Sequence, residues 1–125
     1  MIEIRYIPPH SLELSAMVEE LRNIGREIVR PDTSLVIQAN TKATAWPYER
    51  LLECPILQRG KGAIRVSVEQ DKNLIVESSE ENLDYFASWF DLATDVPRGV
   101  HSHFEYYDGC WFIAPDSVPL VIAAR

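Results

Sequence analysis

Residues 101–111 read HSHFEYYDGCW and hold two of the three histidines and one of the two cysteines in this 125-residue chain. His101 and His103 are two residues apart and Glu105 follows at the same interval, which are the donor types of a zinc site on one side of a strand. Cys110, close by, raises a second chemistry, a thiol activated by a histidine base. Which of these is within reach depends on how the chain folds locally.

Asp108-Gly109 is the dipeptide of a two-residue hairpin turn, in which both central residues take positive φ. Closing the chain there sets Tyr107 opposite Cys110, Tyr106 opposite Trp111, Glu105 opposite Phe112 and Phe104 opposite Ile113. Strand alternation then predicts an inner row of Val100, Ser102, Phe104, Tyr106, Trp111 and Ile113, and an outer row of His101, His103, Glu105, Tyr107, Cys110 and Phe112. The histidine Cα atoms fall about 6.6 Å apart, near enough for both rings to meet one ion. A catalytic metal ordinarily takes three protein ligands and an open position, so two histidines and a neighbouring glutamate are a sparse set. The stretch is locally similar to the His-x-His strands of some zinc enzymes and of cupins. The cupin glutamate comes later, however, and a distant second motif there supplies another histidine, whereas the only other one here is His10. The same register leaves Cys110 roughly 13 Å from His103, beyond hydrogen-bond reach. The chain also lacks a Gly-x-Ser-x-Gly elbow, a phosphate-binding glycine loop, a dinucleotide fingerprint and a His-Glu-x-x-His helix. No catalytic residue, metal or cofactor is expected.

The elements around this stretch are read from hydrophobic period. "IEIRYI" alternates and predicts a first strand ended by Pro8-Pro9. "SLELSAMVEELRNIGREIVRP" places Leu14, Met17, Val18, Leu21, Ile24 and Ile28 at helical spacing, which predicts one helix capped by Ser11 and stopped by Pro31. Arg22, Arg26 and Arg30 form a stripe along it, read as a solvated face paired with Glu19 and Glu27. "SLVIQA" predicts a second strand, whereas Pro47 and Pro55 break any pattern in "TKATAWPYERLLECPILQRGKG". "GAIRVSVEQDKNLIVES" predicts a hairpin turning at "QDKN". A second helix comes next, with Ser78 and Glu81 as its capping box, Leu83, Phe86, Ala87, Phe90 and Ala93 as its apolar stripe, and Tyr85, Trp89 and Leu92 widening that stripe. Glu80, Glu81 and Asp84 suit the positive end of its dipole. "PLVIAA" closes the chain as an apolar strand for the sheet interior. The expected fold is one α+β domain over residues 1–125, an antiparallel-rich sheet with two main helices packed on one face.

Composition narrows the function classes. The net charge of −7 opposes nucleic-acid binding. It is also uneven: residues 1–62 hold eight Lys/Arg and eight Asp/Glu, whereas residues 63–125 hold four against eleven. The excess in the second half is a solubilising surface or a face matched to a basic partner. Without a leader-like start, a membrane-length apolar run or paired cysteines, the chain reads as cytoplasmic, with no membrane contact.

From Ile64 to Ile122 the sequence resembles immunity protein family 32 of bacterial polymorphic toxin systems. The resemblance is carried by "LIVESSEENLDYFASWF" after a hairpin, the "HSHF" strand after the helix exit, and "APDSVPLVI" at the end. It implies a cytosolic antidote that binds and blocks a cognate protein toxin and has no chemistry of its own. Many such toxins are basic nucleases, which an acidic face would suit. On this reading the outer-row residues His101, His103, Glu105 and Tyr107, with Asp108 of the turn, form the candidate partner-contact patch. The other reading is a small metal-dependent enzyme using the His-x-His-x-Glu strand.

Overall fold

Alternation in the first sixteen residues builds a hairpin rather than a strand and a helix. The computed structural model describes residues 1–30, 37–93 and 95–125. In it β1 (Glu3–Ile7) is followed by β2 (Ser11–Ala16), and the two pair antiparallel with Ile4 opposite Leu14 and Tyr6 opposite Leu12. Leu12, Leu14 and Ala16 are buried on the inner face, whereas Glu13 and Ser15 lie on the other with Glu3 and Arg5. Ser11 is therefore the first residue of a strand and caps nothing. The first helix, α1 (Val18–Ile28), begins only after Met17, whose backbone N–H donates to Glu20 Oε1 at 3.2 Å. Leu21, Ile24 and Ile28 are its buried residues, and Met17 is exposed.

The proline-broken stretch, which has no legible period, supplies β3 (Arg50–Leu51) and β4 (Cys54–Arg59). The strand expected over 34–39 falls partly outside the described residues; Ile37, Gln38 and Ala39 belong to no named strand. The hairpin of β5 (Arg65–Glu69) and β6 (Asn73–Ser78) forms as expected, with Gln70 and Asp71 at φ +52° and +54° in its turn. The second helix, α2 (Glu80–Ser88), is capped one residue later than expected. Ser79 Oγ accepts the Asn82 N–H at 3.3 Å, whereas Ser78 is buried at the end of β6 and donates to the Ser79 carbonyl. The last two strands are β7 (His101–Phe104) and β8 (Leu120–Ala124).

These strands form two sheets where one was expected. The larger has the order β3-β1-β2-β8-β7 and the smaller β4-β6-β5. Both are mixed, since β2 runs parallel to β8 and β4 parallel to β6, and the remaining ladders are antiparallel. β8 is apolar on both faces, which suits its place between β2 and β7. The helices pack on each other at Gly25, where a Cβ would lie 3.2 Å from both the Ala87 carbonyl oxygen and Phe90 Cβ. The inner faces of both sheets and the two helices converge on one apolar core, where Leu14, Leu120, Ile24, Leu74, Phe86 and Phe90 line a common crevice.

The outer face of the larger sheet carries charge. Glu3 is 7% exposed and accepts from Arg5 at 2.6 Å and Arg125 at 2.8 Å. Arg5 also donates to Ser15 Oγ and to the Thr44 carbonyl, while Arg125 also reaches the Met1 carbonyl. Each charge is thus answered within the knot, which ties β1 to the residue after β8. Of the arginine stripe, Arg30, just beyond α1, pairs with Glu27 as expected, but on the helix Arg22 donates to the Leu92 carbonyl and Arg26 to Asn23. Among the described residues no helix is long and apolar enough to cross a membrane.

Candidate functional site

β7 begins at a bulge. The Val100 N–H donates to the Pro97 carbonyl across a turn, and Gly99 has φ +85°. Gly99 N–H then donates to Ala124 O, while Ala124 N–H donates to Val100 O, so two residues of one strand face one of the other. Glycine is the residue that takes this φ without steric cost. From there β7 pairs antiparallel with β8, with His101 opposite Ala123 and His103 opposite Val121.

This pairing corrects the expected hairpin. β7 joins β8, not residues 110–113, because β8 needs neighbours on both edges and its apolar surface outweighs the local turn signal. Asp108-Gly109 does lie in a turn, closed by the Cys110 N–H donating to the Tyr107 carbonyl at 2.9 Å. Only Gly109 has positive φ, so it is not the two-residue hairpin turn. The predicted rows change accordingly. Phe104 and Ile113 are buried as expected, but Trp111 is 64% exposed, and Cys110, expected outside, is buried.

The candidate contact patch is split between two surfaces. His101 and His103 are exposed on the outer sheet face, their ring centroids 5.1 Å apart, with His101 Nδ1 3.0 Å from the Gly99 carbonyl oxygen. Phe104 points the opposite way and packs edge-on against Phe86 and Trp89 of α2 and its C-cap. The chain then leaves the sheet through exposed Glu105, and Tyr107 and Asp108 lie in the loop beyond it. Among the described residues no three His, Cys, Asp or Glu side chains are placed to share a metal ion.

What the loop builds is an aromatic cluster. Phe112 stacks on Tyr85 of α2 at 5.2 Å, and Trp111 meets Tyr85 edge-on at 5.0 Å. Tyr107 packs edge-on to Phe112 at 6.5 Å. Tyr85, Tyr107 and Trp111 are 44%, 57% and 64% exposed, a large apolar display for so small a region. Partial burial, and then the Cys110 thiol beside it, push the Tyr107 phenol above its ordinary range.

The cluster is rigid because both of its supports are anchored. α2 is held by Leu83, Phe86 and Ala87 in the core. The loop is held by buried Cys110 and by the segment C-terminal to it: Ile64 N–H donates to Phe112 O, Ala114 N–H to Ile64 O, and Val118 N–H to Val66 O. Ser117 Oγ accepts the Val66 N–H at 2.8 Å. Residues 112–118 thus seal the free edge of β5. Glu81 and Asp84 on α2 and Asp108 on the loop are exposed, and among the described residues none has an ion-pair partner within 4.0 Å. The acidic excess of the second half is therefore uncompensated near exposed rings.

Tyr85, Trp111 and Phe112 are the cluster residues that sequence reasoning misses. Helical period places Tyr85 on the edge of the apolar stripe, and the Asp-Gly hairpin places Trp111 in the core. The available signal is the four aromatic side chains around Cys110 in "YYDGCWF", since a short loop cannot bury them all. A scan against protein-family models and searches of curated proteins and of solved structures find no match to this chain.

Proposed function

We propose that this chain is a binding protein of the cytoplasm that captures and blocks a cognate protein toxin, an immunity protein without chemistry of its own. The observation that carries the reading is the exposed cluster of Tyr85, Tyr107, Trp111 and Phe112, held on an anchored helix and loop. Tyrosine and tryptophan anchors on a rigid support are the side chains that dominate protein interfaces, because they bury area with little loss of rotamer freedom. The unpaired carboxylates of Glu81, Asp84 and Asp108 favour a basic partner, such as a nuclease whose own surface is made for phosphates. Two free cysteines accord with a reducing compartment.

Tyr107 and Asp108 stay in the proposed contact surface, with Glu105 at its margin. The test is the protein encoded beside this chain's gene. Calorimetric titration should give a 1:1 complex, and co-expression should restore growth to cells producing that neighbour. A neighbour that is toxic yet is neither bound nor countered would remove the proposal.

A further inference from the structure

His101 and His103 are spaced as a chelate. Both are exposed on the outer face of β7, and the ladder to β8 fixes the backbone that carries them. Their ring centroids are 5.1 Å apart. Two imidazoles that share a tetrahedral zinc ion through nitrogens about 2.0–2.1 Å from it have ring centres about 5 Å apart. The two rings therefore stand at the separation that one common ion requires.

A second observation fixes the tautomer of His101. Its Nδ1 lies 3.0 Å from the Gly99 carbonyl oxygen, which can only accept. Nδ1 thus carries the hydrogen, and the neutral ring keeps its lone pair on Nε2. A backbone carbonyl on the far nitrogen is the usual support of a metal-bound histidine, because it orients the ring and raises its basicity. That carbonyl is held in turn, since Gly99 sits in the bulge at φ +85° with its N–H on Ala124 O. Opposite the histidines in the register, Ala123 and Val121 offer no polar side chain to engage either ring.

We propose that His101 and His103 together bind one borderline divalent cation, zinc or copper(II), through His101 Nε2 and a ring nitrogen of His103. Imidazole donors suit these ions, whereas magnesium and calcium take oxygen ligands. Glu105 lies past the end of the strand and does not complete a set of three. The ion is consequently held by two protein donors, and its other positions go to water or to a donor from another molecule. The acidic excess of residues 63–125, eleven Asp/Glu against four Lys/Arg, favours a cation on this half of the chain. The histidines lie on a different surface from the aromatic cluster, so this inference does not rest on toxin binding.

Calorimetric titration of the untagged chain with zinc chloride should give one ion per chain with a Kd below about 0.1 mM, and magnesium chloride should give no binding. Copper(II) should bind more tightly than zinc. His101→Gln and His103→Gln should each weaken zinc binding at least about tenfold, whereas His10→Gln should leave it unchanged. All three histidines are exposed, so the variants should unfold at the temperature of the wild type when metal is absent. In nitrogen-15 spectra zinc should shift His101 Nε2 while Nδ1 stays protonated. A zinc Kd above about 0.1 mM overturns the proposal. Zinc that stays bound when both His101 and His103 are replaced lies elsewhere and overturns it too, as does half an ion per chain, which would mean an ion bridging two copies.

Discussion

Tyr85 and Phe112 lie face to face, with ring centroids 5.2 Å apart and planes inclined by 22°. Tyr85 belongs to a helix seated in the core and Phe112 to the segment sealing the smaller sheet, so their contact joins two independently anchored pieces. Trp111 rests edge-on against both rings. The most exposed ring of the cluster is thus positioned by two that are less exposed.

Truncating Trp111 separates binding from folding. Trp111→Ala should change the unfolding free energy by only about 1 kcal/mol, because Trp111 is 64% exposed and what it loses is its edge-on packing on Tyr85 and Phe112. It should weaken binding of the proposed toxin by about 2 kcal/mol or more, roughly thirtyfold, as measured by calorimetry. Equal effects on both quantities would mean that Trp111 is a packing residue and the cluster is not the contact surface.

Charge at the same surface should act on rate. Neutralising Glu81, Asp84 and Asp108 together, as Gln and Asn, should slow association about tenfold at low salt and flatten its salt dependence, with dissociation little altered. Stopped-flow measurement over a range of ionic strength reads both. An unchanged association rate would place the basic partner elsewhere.

The outer-face knot gives a prediction on stability alone. Glu3→Gln removes the charge shared by Arg5 and Arg125 and should cost about 2 kcal/mol in urea unfolding. Arg125→Gln should cost less, because Arg125 is 38% exposed and Arg5 stays bonded to Glu3 without it. The reverse order would show that the chain end and not the carboxylate holds this face.

Arg65 and Asp116 form a surface pair at 2.9 Å, and the hydrogen bond from Arg65 holds the Asp116 carboxyl below its usual range. A depressed carboxylate contributes stability above its unfolded pKa of about 3.9, and loses it as pH falls through the lower folded value. The difference in stability between the wild type and Arg65→Gln should therefore be constant near neutral pH and shrink below about pH 4. Urea unfolding at a series of pH values checks it, and a difference that grows on acidification contradicts the assignment.

Local signals in the sequence identify elements whose partners are close in the chain. The β5–β6 hairpin, α2 and its buried stripe, and β1 are all legible because turn, cap and period lie within a few residues of one another. Residues 11–16 mislead because Leu14 suits both a helical stripe and a strand row. What decides between them is β8, more than a hundred residues away, which pairs with β2 from Leu12 to Ala16. The same strand explains the misassigned hairpin, since it takes β7 away from the segment that turn chemistry offers. Of the candidate site, the turn at Asp108 is legible, but the loop position of Tyr107 and the separation of both residues from the two histidines are not, because they depend on β7 pairing with β8 instead of residues 110–113.

The segment from Trp111 to Val118 serves two neighbours at once, presenting the rings of Trp111 and Phe112 on one side and closing β5 on the other. A partner that steadies Trp111 therefore also damps the opening of the hydrogen bonds at Ile64, Ala114 and Val118. Occupancy of the surface should be audible in the smaller sheet as slowed amide exchange at residues the partner never touches.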